Sequence, residues 1–149
     1  MEKVVRVGVA VNIDKEGNYL LLKRKSELGT DTWCAPGGKI EVGEDIFECA
    51  MRELHEEVGD DIQVTEPVFY GITNDFFEKE QQHYITIHTI CFYISGEPKI
   101  NEPNKCSEIG WFHQDDVLDM DLFLPTLNFI INSFETGDDI KIKDKEYGI

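Results

Sequence analysis

The order of hydrophobic periodicities along this chain predicts an α+β fold, a mixed β-sheet with helices packed on its faces. Three observations carry that expectation. Strand-like runs come in groups before and after a helical stretch, rather than alternating with helices one for one. A second helical pattern closes the order. No Gly-rich fingerprint follows the first strand, which argues against a doubly wound nucleotide-binding sheet. With 149 residues, 41% of them hydrophobic, the chain has material for one core, so a single domain over 1–149 is expected.

Residues 4–14 alternate and are rich in valine, which reads as a strand; 15–18 (Lys-Glu-Gly-Asn) supply turn chemistry, and 19–25 read as the returning strand of a hairpin. Residues 26–32 form a loop. Trp33 opens a short extended piece ending at Pro36, because the residue before a proline is pushed out of the helical region. Gly37 and Gly38 then read as a break in the chain. Beyond them Phe47, Met51, Leu54 and Val58 recur at helical steps, widened by Ile46 and Ala50, and Gly59 stands where a C-terminal cap belongs. Residues 68–77 and 83–94 read as an antiparallel pair across a charged turn. Residues 95–108 read as a polar loop and 109–113 as a short strand. Residues 121–134 read as a helix carrying Pro125 in its first turn, and 137–149 as a charged C-terminal tail.

Composition narrows function. With 30 Asp+Glu against 14 Lys+Arg, the chain is poorly suited to the counterion-releasing grip on a nucleic-acid polymer. A small phosphorylated ligand remains open, provided that divalent cations stand between carboxylates and phosphates. No apolar run approaches the roughly 20 residues of a membrane span. The segment Met1-Glu2-Lys3-Val4-Val5 has no signal-peptide character, so no membrane and a cytoplasmic location are expected. Cys34, Cys49, Cys91 and Cys106 show no CxxC spacing and lie in or beside apolar segments, which reads as reduced, buried thiols. His55, His83, His88 and His113 have no metal-ligand spacing and read as structural.

The chemistry concentrates on the first helix. Glu53, Glu56 and Glu57 stand at i, i+3 and i+4 and share one helix face. Like charges at that spacing cost about 0.2–0.5 kcal/mol per pair. Arg52 can offset part of this by pairing with Glu56, but one guanidinium cannot neutralise three carboxylates. Hard oxygen ligands without His or Cys beside them suit Mg²⁺, or Mn²⁺ in its place. A solvated acidic face would explain three glutamates alone. It does not explain their company: Gly38, Glu44, Arg52, Glu53, Leu54, Glu56, Glu57 and Gly59 fit G-x5-E-x7-R-E-U-x-E-E-x-G-U, where U is bulky aliphatic. At about 6% usage for each of the fixed identities, a chance match is on the order of 10⁻⁵ or rarer.

This pattern is the Nudix box, and the chain resembles a MutT-like Nudix hydrolase. Asp60 departs from it where an aliphatic residue belongs, and Ile62 can supply that packing. Likeness extends beyond the box through the preceding hairpin, WCAPGG and SEIGWF, and so over most of 4–134. The resemblance implies an α/β/α sandwich, a mixed sheet between helices, with the box as loop–helix–loop. It also implies metal-dependent hydrolysis of a nucleoside diphosphate linked to another group. Carried residue by residue, Glu53, Glu56 and Glu57 would be metal ligands with the Gly38 carbonyl as a further one. Arg52 would orient the carboxylates and Glu44 would support the loop. The base accepting the attacking water's proton is Glu56 or Glu57 in the box, or Glu102 or Glu108 from the later loop.

Outside the box, KRKSELGTDTWCAPGGKIEVGE, HYITI and EPNKCSEIGWF are similar to small cytosolic nucleoside-triphosphate diphosphatases, many of them homodimers. That implies release of a nucleoside monophosphate and pyrophosphate from triphosphates, oxidised ones such as 8-oxo-dGTP among them. Ala35 and Lys39 depart from that branch and leave base preference open. Arg24 is a candidate phosphate contact or an exposed strand cation, and Lys39 a candidate diphosphate contact. Trp33 and Phe123 are candidate stacking groups or core; Trp111 reads as core. The alternatives are cleavage of ADP-ribose or another nucleoside-diphosphate-X compound, and a non-catalytic nucleotide sensor. Sensors commonly lose box carboxylates, whereas all three are kept here.

Overall fold

A computed structural model describes residues 3–135; the tail expected at 137–149 lies outside them. Strand β1 (Val5–Lys15) turns through Glu16 and Gly17, both at positive φ (52° and 88°), into β2 (Asn18–Arg24). Two left-handed central residues make the hairpin turn whose twist suits the flanking strands. The hairpin stays paired only near its tip, at Asp14↔Tyr19 and Lys15↔Asn18. Below, β1 leaves β2 and pairs with β4 (Gly37–Lys39), while β2 pairs with β3 (Trp33–Cys34) and along its length with β8 (Cys106–His113). On its other edge β1 runs parallel to β7 (Gln82–Ser95), whose remaining neighbours are β5 (Gln63–Val64) and β6 (Val68–Phe77), both antiparallel. The sheet is therefore mixed, as expected.

Helix α1 (Ile46–Val58) starts on a capping box: Asp45 accepts from the Phe47 N–H at 2.7 Å, and Glu48 accepts from the Asp45 N–H at 3.2 Å. It ends at Gly59, whose φ of 87° disfavours other residues. Helix α2 (Leu124–Glu135) carries Pro125 in its first turn. The two helices cover opposite faces. Val9, Val11, Ile13, Leu20 and Leu22 pack toward Ala50, Leu54 and Val58 of α1. Tyr19, Leu21, Tyr70 and Ile90 pack toward Phe129 and Ile130 of α2. The alternation along β2 sends its even-numbered leucines to one core and its odd-numbered residues to the other, which makes the α/β/α sandwich.

Three local expectations need correction. Gly37 and Gly38 are not a break but the strand β4, because the absent side chains let this segment lie against β1: a Cβ on Gly37 would collide with the Val9 carbonyl. The buried stripe of α1 is rotated from the one expected; Cys49 and Ala50 join Leu54 and Val58 inside while Phe47 is 39% exposed. Strand β8 begins at Cys106 rather than 109, since pairing with Lys23 and Arg24 satisfies its backbone whatever its side chains. The four cysteines are free and buried, as expected. No helix among the described residues is long and apolar enough to cross a membrane.

Candidate active site

The carboxylate helix and the glycine strand meet at one cavity. Strand β4 lies between β1 and α1, so the Gly37 N–H can donate to Glu57 Oε1 at 2.9 Å. A Cβ on Gly38 would fall on the Glu53 carboxyl. The glycines thus serve close approach of backbone to carboxylate, a need that only this packing reveals.

Arg52 organises the acids. Its Nε and Nη2 grip Glu44 in a bidentate fork at 2.6 and 3.0 Å, and Nη1 donates to Glu53 at 2.8 Å and to Glu56 at 3.3 Å. Nη2 also donates to the Lys39 carbonyl at 3.2 Å, tying β4 to the helix. Glu44 accepts from the Glu41 N–H at 3.0 Å as well, which closes the loop before the helix. The guanidinium holds the Glu44 carboxyl down to about 2, and Glu44 in turn pushes Arg52 still further up. Burial raises Glu53, against the pull of Arg52. Burial also pushes Glu57 up to about 8, with the Gly37 N–H opposing it and the Glu53 and Glu102 charges adding to it. No salt bridge reaches Glu57 among the described residues.

Two of these acids, Glu53 and Glu57, border a cavity of about 610 Å³. Glu53, Glu57, Glu102, Gly38 and Lys39 line that cavity, and Arg24 and Phe123 line it too. Arg24 lies over the Phe123 ring at 3.8 Å and donates through Nε to the Leu28 carbonyl at 3.0 Å. Three of the residues proposed from sequence stand elsewhere. Trp33 packs edge-on against Phe112 at 4.9 Å in the α2-side core. Glu108 is exposed and paired with Lys23 at 3.2 Å. Glu56 is turned outward onto Arg52. Among the described residues no three acids, histidines or cysteines already converge on a single point. Sequence reasoning missed Tyr84 and Thr86, which also line the cavity; the polar alternation Tyr84, Thr86, His88 within a buried strand was the available signal.

The donor set fits a hard divalent cation. Glu53 and Glu57 are desolvated, adjacent carboxylates that repel each other, with the Gly38 backbone beside them and only Arg52 bridging to one of the pair. A family model described as the NUDIX domain matches residues 2–130. The chain belongs to the NUDIX family. It is similar to the nucleoside triphosphatase NudI of Escherichia coli O17:K52:H18 (strain UMN026 / ExPEC), 30% identical over 123 residues that span 76% of this chain and 86% of that protein. Among solved structures, a MutT NUDIX hydrolase from Burkholderia pseudomallei superposes with a TM-score of 0.79 at 28% identity, covering 87% of this chain and 98% of that one. The NUDIX domain of Shewanella oneidensis NrtR, complexed with ADP ribose, shares the fold at 18% identity with a TM-score of 0.76, covering 92% and 91%. Family hydrolases use divalent metal ions, in keeping with the acids gathered here.

Proposed function

We propose that this protein is a divalent-metal-dependent pyrophosphohydrolase of nucleoside triphosphates, releasing a nucleoside monophosphate and pyrophosphate. The observation that carries the reading is the cavity itself, lined by the box acids Glu53 and Glu57 together with Arg24 stacked on Phe123. The similarity to a nucleoside triphosphatase supports the substrate class.

Glu53 and Glu57, with the Gly38 carbonyl, would hold Mg²⁺ or Mn²⁺; Glu56 would join them by leaving Arg52. Bound there, the ion supplies charge neutralisation of the diphosphate and acidification of the attacking water. The residues themselves perform the remaining work. Arg52 and Glu44 fix the rotamers of the acids through the fork. Lys39, at the edge of β4, would face the diphosphate, and Arg24, braced on Phe123, would offer a second cation to it. Glu57 and Glu102, which both line the cavity, would accept the water's proton; Glu108, exposed and paired with Lys23, would not. The homodimer implied by the resemblance would bury Val5, Val7, Ile72 and Phe76, which stand exposed on β1 and β6, the strands either side of β7; light scattering tests it.

The experiment is phosphate release coupled to inorganic pyrophosphatase over a panel of ribo-, deoxy- and oxidised nucleoside triphosphates with Mg²⁺, repeated in excess EDTA. Triphosphate turnover that stops in EDTA is expected. Cleavage of ADP-ribose alone would shift the substrate class, and binding without turnover would favour the sensor.

A further inference from the structure

Behind the cavity wall lies a buried polar network that the reaction does not use. Asp75 of β6 is fully buried. Its Oδ2 accepts the hydroxyls of Thr73 and Thr86 at 2.9 and 2.6 Å, and its Oδ1 accepts the Asn128 side-chain amide of α2 at 2.8 Å. A carboxylate only accepts, and a threonine hydroxyl has one hydrogen to give. Both threonines therefore spend that hydrogen on Asp75.

The other end of the network fixes the same direction independently. Asn12 Nδ2 donates to the Thr89 carbonyl at 3.1 Å, which determines which end of that amide is nitrogen. The same nitrogen is 3.4 Å from His88 Nδ1, so Nδ1 is the bare, accepting atom of the ring. Burial keeps the imidazole neutral, its ionisation pushed down to about 3. Nε2 then carries the hydrogen and donates to Thr73 Oγ1 at 2.8 Å, which leaves the Thr73 hydrogen for Asp75.

Thr86 is the member of this chain that reaches the cavity. It lines the cavity beside Gly8, its register partner on the adjacent strand β1, and a Cβ on Gly8 would still be 4.0 Å from Thr86 Oγ1. Gly8 itself carries no side chain that could cover the hydroxyl. We propose that Thr86 is a specificity-determining residue whose oxygen, held as a pure acceptor by the positioning residue Asp75, selects nucleotides presenting a base N–H or NH₂ donor to this wall. The inference rests on the nucleotide reading above and deepens it. Arg24, Lys39 and Lys105, the cations at this cavity, can only donate, so a neutral acceptor in the wall adds a preference that they cannot supply.

The test is calorimetric binding, in Mg²⁺ buffer, of nucleoside monophosphates that differ only in one base donor. The pairs are GMP against IMP and against N1-methyl-GMP, AMP against purine riboside monophosphate, CMP against its 2-pyrimidinone analogue, and UMP against N3-methyl-UMP. The parent protein should bind the donor-bearing member at least about 10-fold more tightly in one or more pairs. Thr86→Val should bring that ratio to within about twofold of unity, and Thr86→Ser should keep it. Asp75→Asn, whose amide can donate to Oγ1 and free the hydroxyl hydrogen, should lower or invert the ratio while Thr86 is still present. Equal binding in every pair by the unaltered protein, a measurement that needs no variant to fold, overturns the proposal. So does a Thr86→Val ratio equal to the parent's. Hydrolysis is followed separately: discrimination that depends on Thr86 without turnover of any triphosphate would refute the activity and leave Thr86 as the selector. Turnover with an unchanged ratio would do the reverse.

Discussion

Replacing Glu57 by Gln should stabilise the metal-free protein while disabling it. In the folded chain burial holds the Glu57 proton up to about 8, whereas the ordinary carboxyl value is 4.5. Between those limits the folded state binds more protons than the unfolded state, so stability falls as pH rises. The contribution is fully present below about 4.5 and gone above about 8. At about 1.4 kcal/mol for each tenfold change in acidity, the ceiling on this loss is about 5 kcal/mol. Gln is neutral throughout, keeps nearly the same volume and helix propensity, and can still accept from the Gly37 N–H. Urea unfolding in EDTA should therefore place the two proteins within about 1 kcal/mol at pH 5 and the variant ahead by about 2–5 kcal/mol at pH 8. His88 acts with the opposite slope but is common to both, so the difference isolates Glu57. In Mg²⁺ the variant should lose at least about 10²-fold in kcat/KM, about 2.7 kcal/mol of transition-state stabilisation, because an amide oxygen is a poor metal ligand and no base. Two parallel stability curves would refute the burial argument. A variant that melts earlier yet turns over at near-parental rate would make Glu57 structural.

Three further outcomes are expected. Gly38→Ala should keep its fold and lose at least about 10²-fold in activity, since the new methyl displaces Glu53; Gly37→Ala, whose methyl meets the Val9 carbonyl, should instead cost more than about 2 kcal/mol in a urea melt. Arg52→Lys should lower kcat/KM about 10–100-fold, because an ammonium cannot hold Glu44 in the fork while also donating to Glu53 and Glu56; a parental rate would remove Arg52 from the positioning role. His88 should show the Nε2–H tautomer by ¹⁵N NMR and stay neutral from pH 8 to 5. Its contribution to stability, complete above 6.5, should be lost progressively as pH falls toward about 3.

The sequence by itself determined the elements that depend on local chemistry. The Glu16–Gly17 turn, the Gly59 exit and the alternating strands are set by backbone preference and side-chain period, and these are found where that chemistry puts them. Spacing alone also put Glu53, Glu56 and Glu57 on one helix face, and the box pattern named their company. Tertiary structure decided what depends on partners distant in the chain. The glycine pair reads as a break until β1 is seen to pair with β4, and the opening residues of β8, 106–108, read as loop until β2 satisfies their backbone. Trp33 and Phe123 are indistinguishable as aromatic residues in sequence; packing sends one against Phe112 and the other under Arg24 at the cavity. Glu102 and Glu108 likewise look alike in sequence; the loop before β8 leaves Glu102 at the cavity, while strand pairing sets Glu108 against Lys23. The Asp75 network was least legible. Its meaning lies in hydrogen-bond directions that run from Asn12 through His88 and Thr73 to Asp75, which also accepts from Thr86, and such directions exist only once strands β1, β6 and β7 lie side by side.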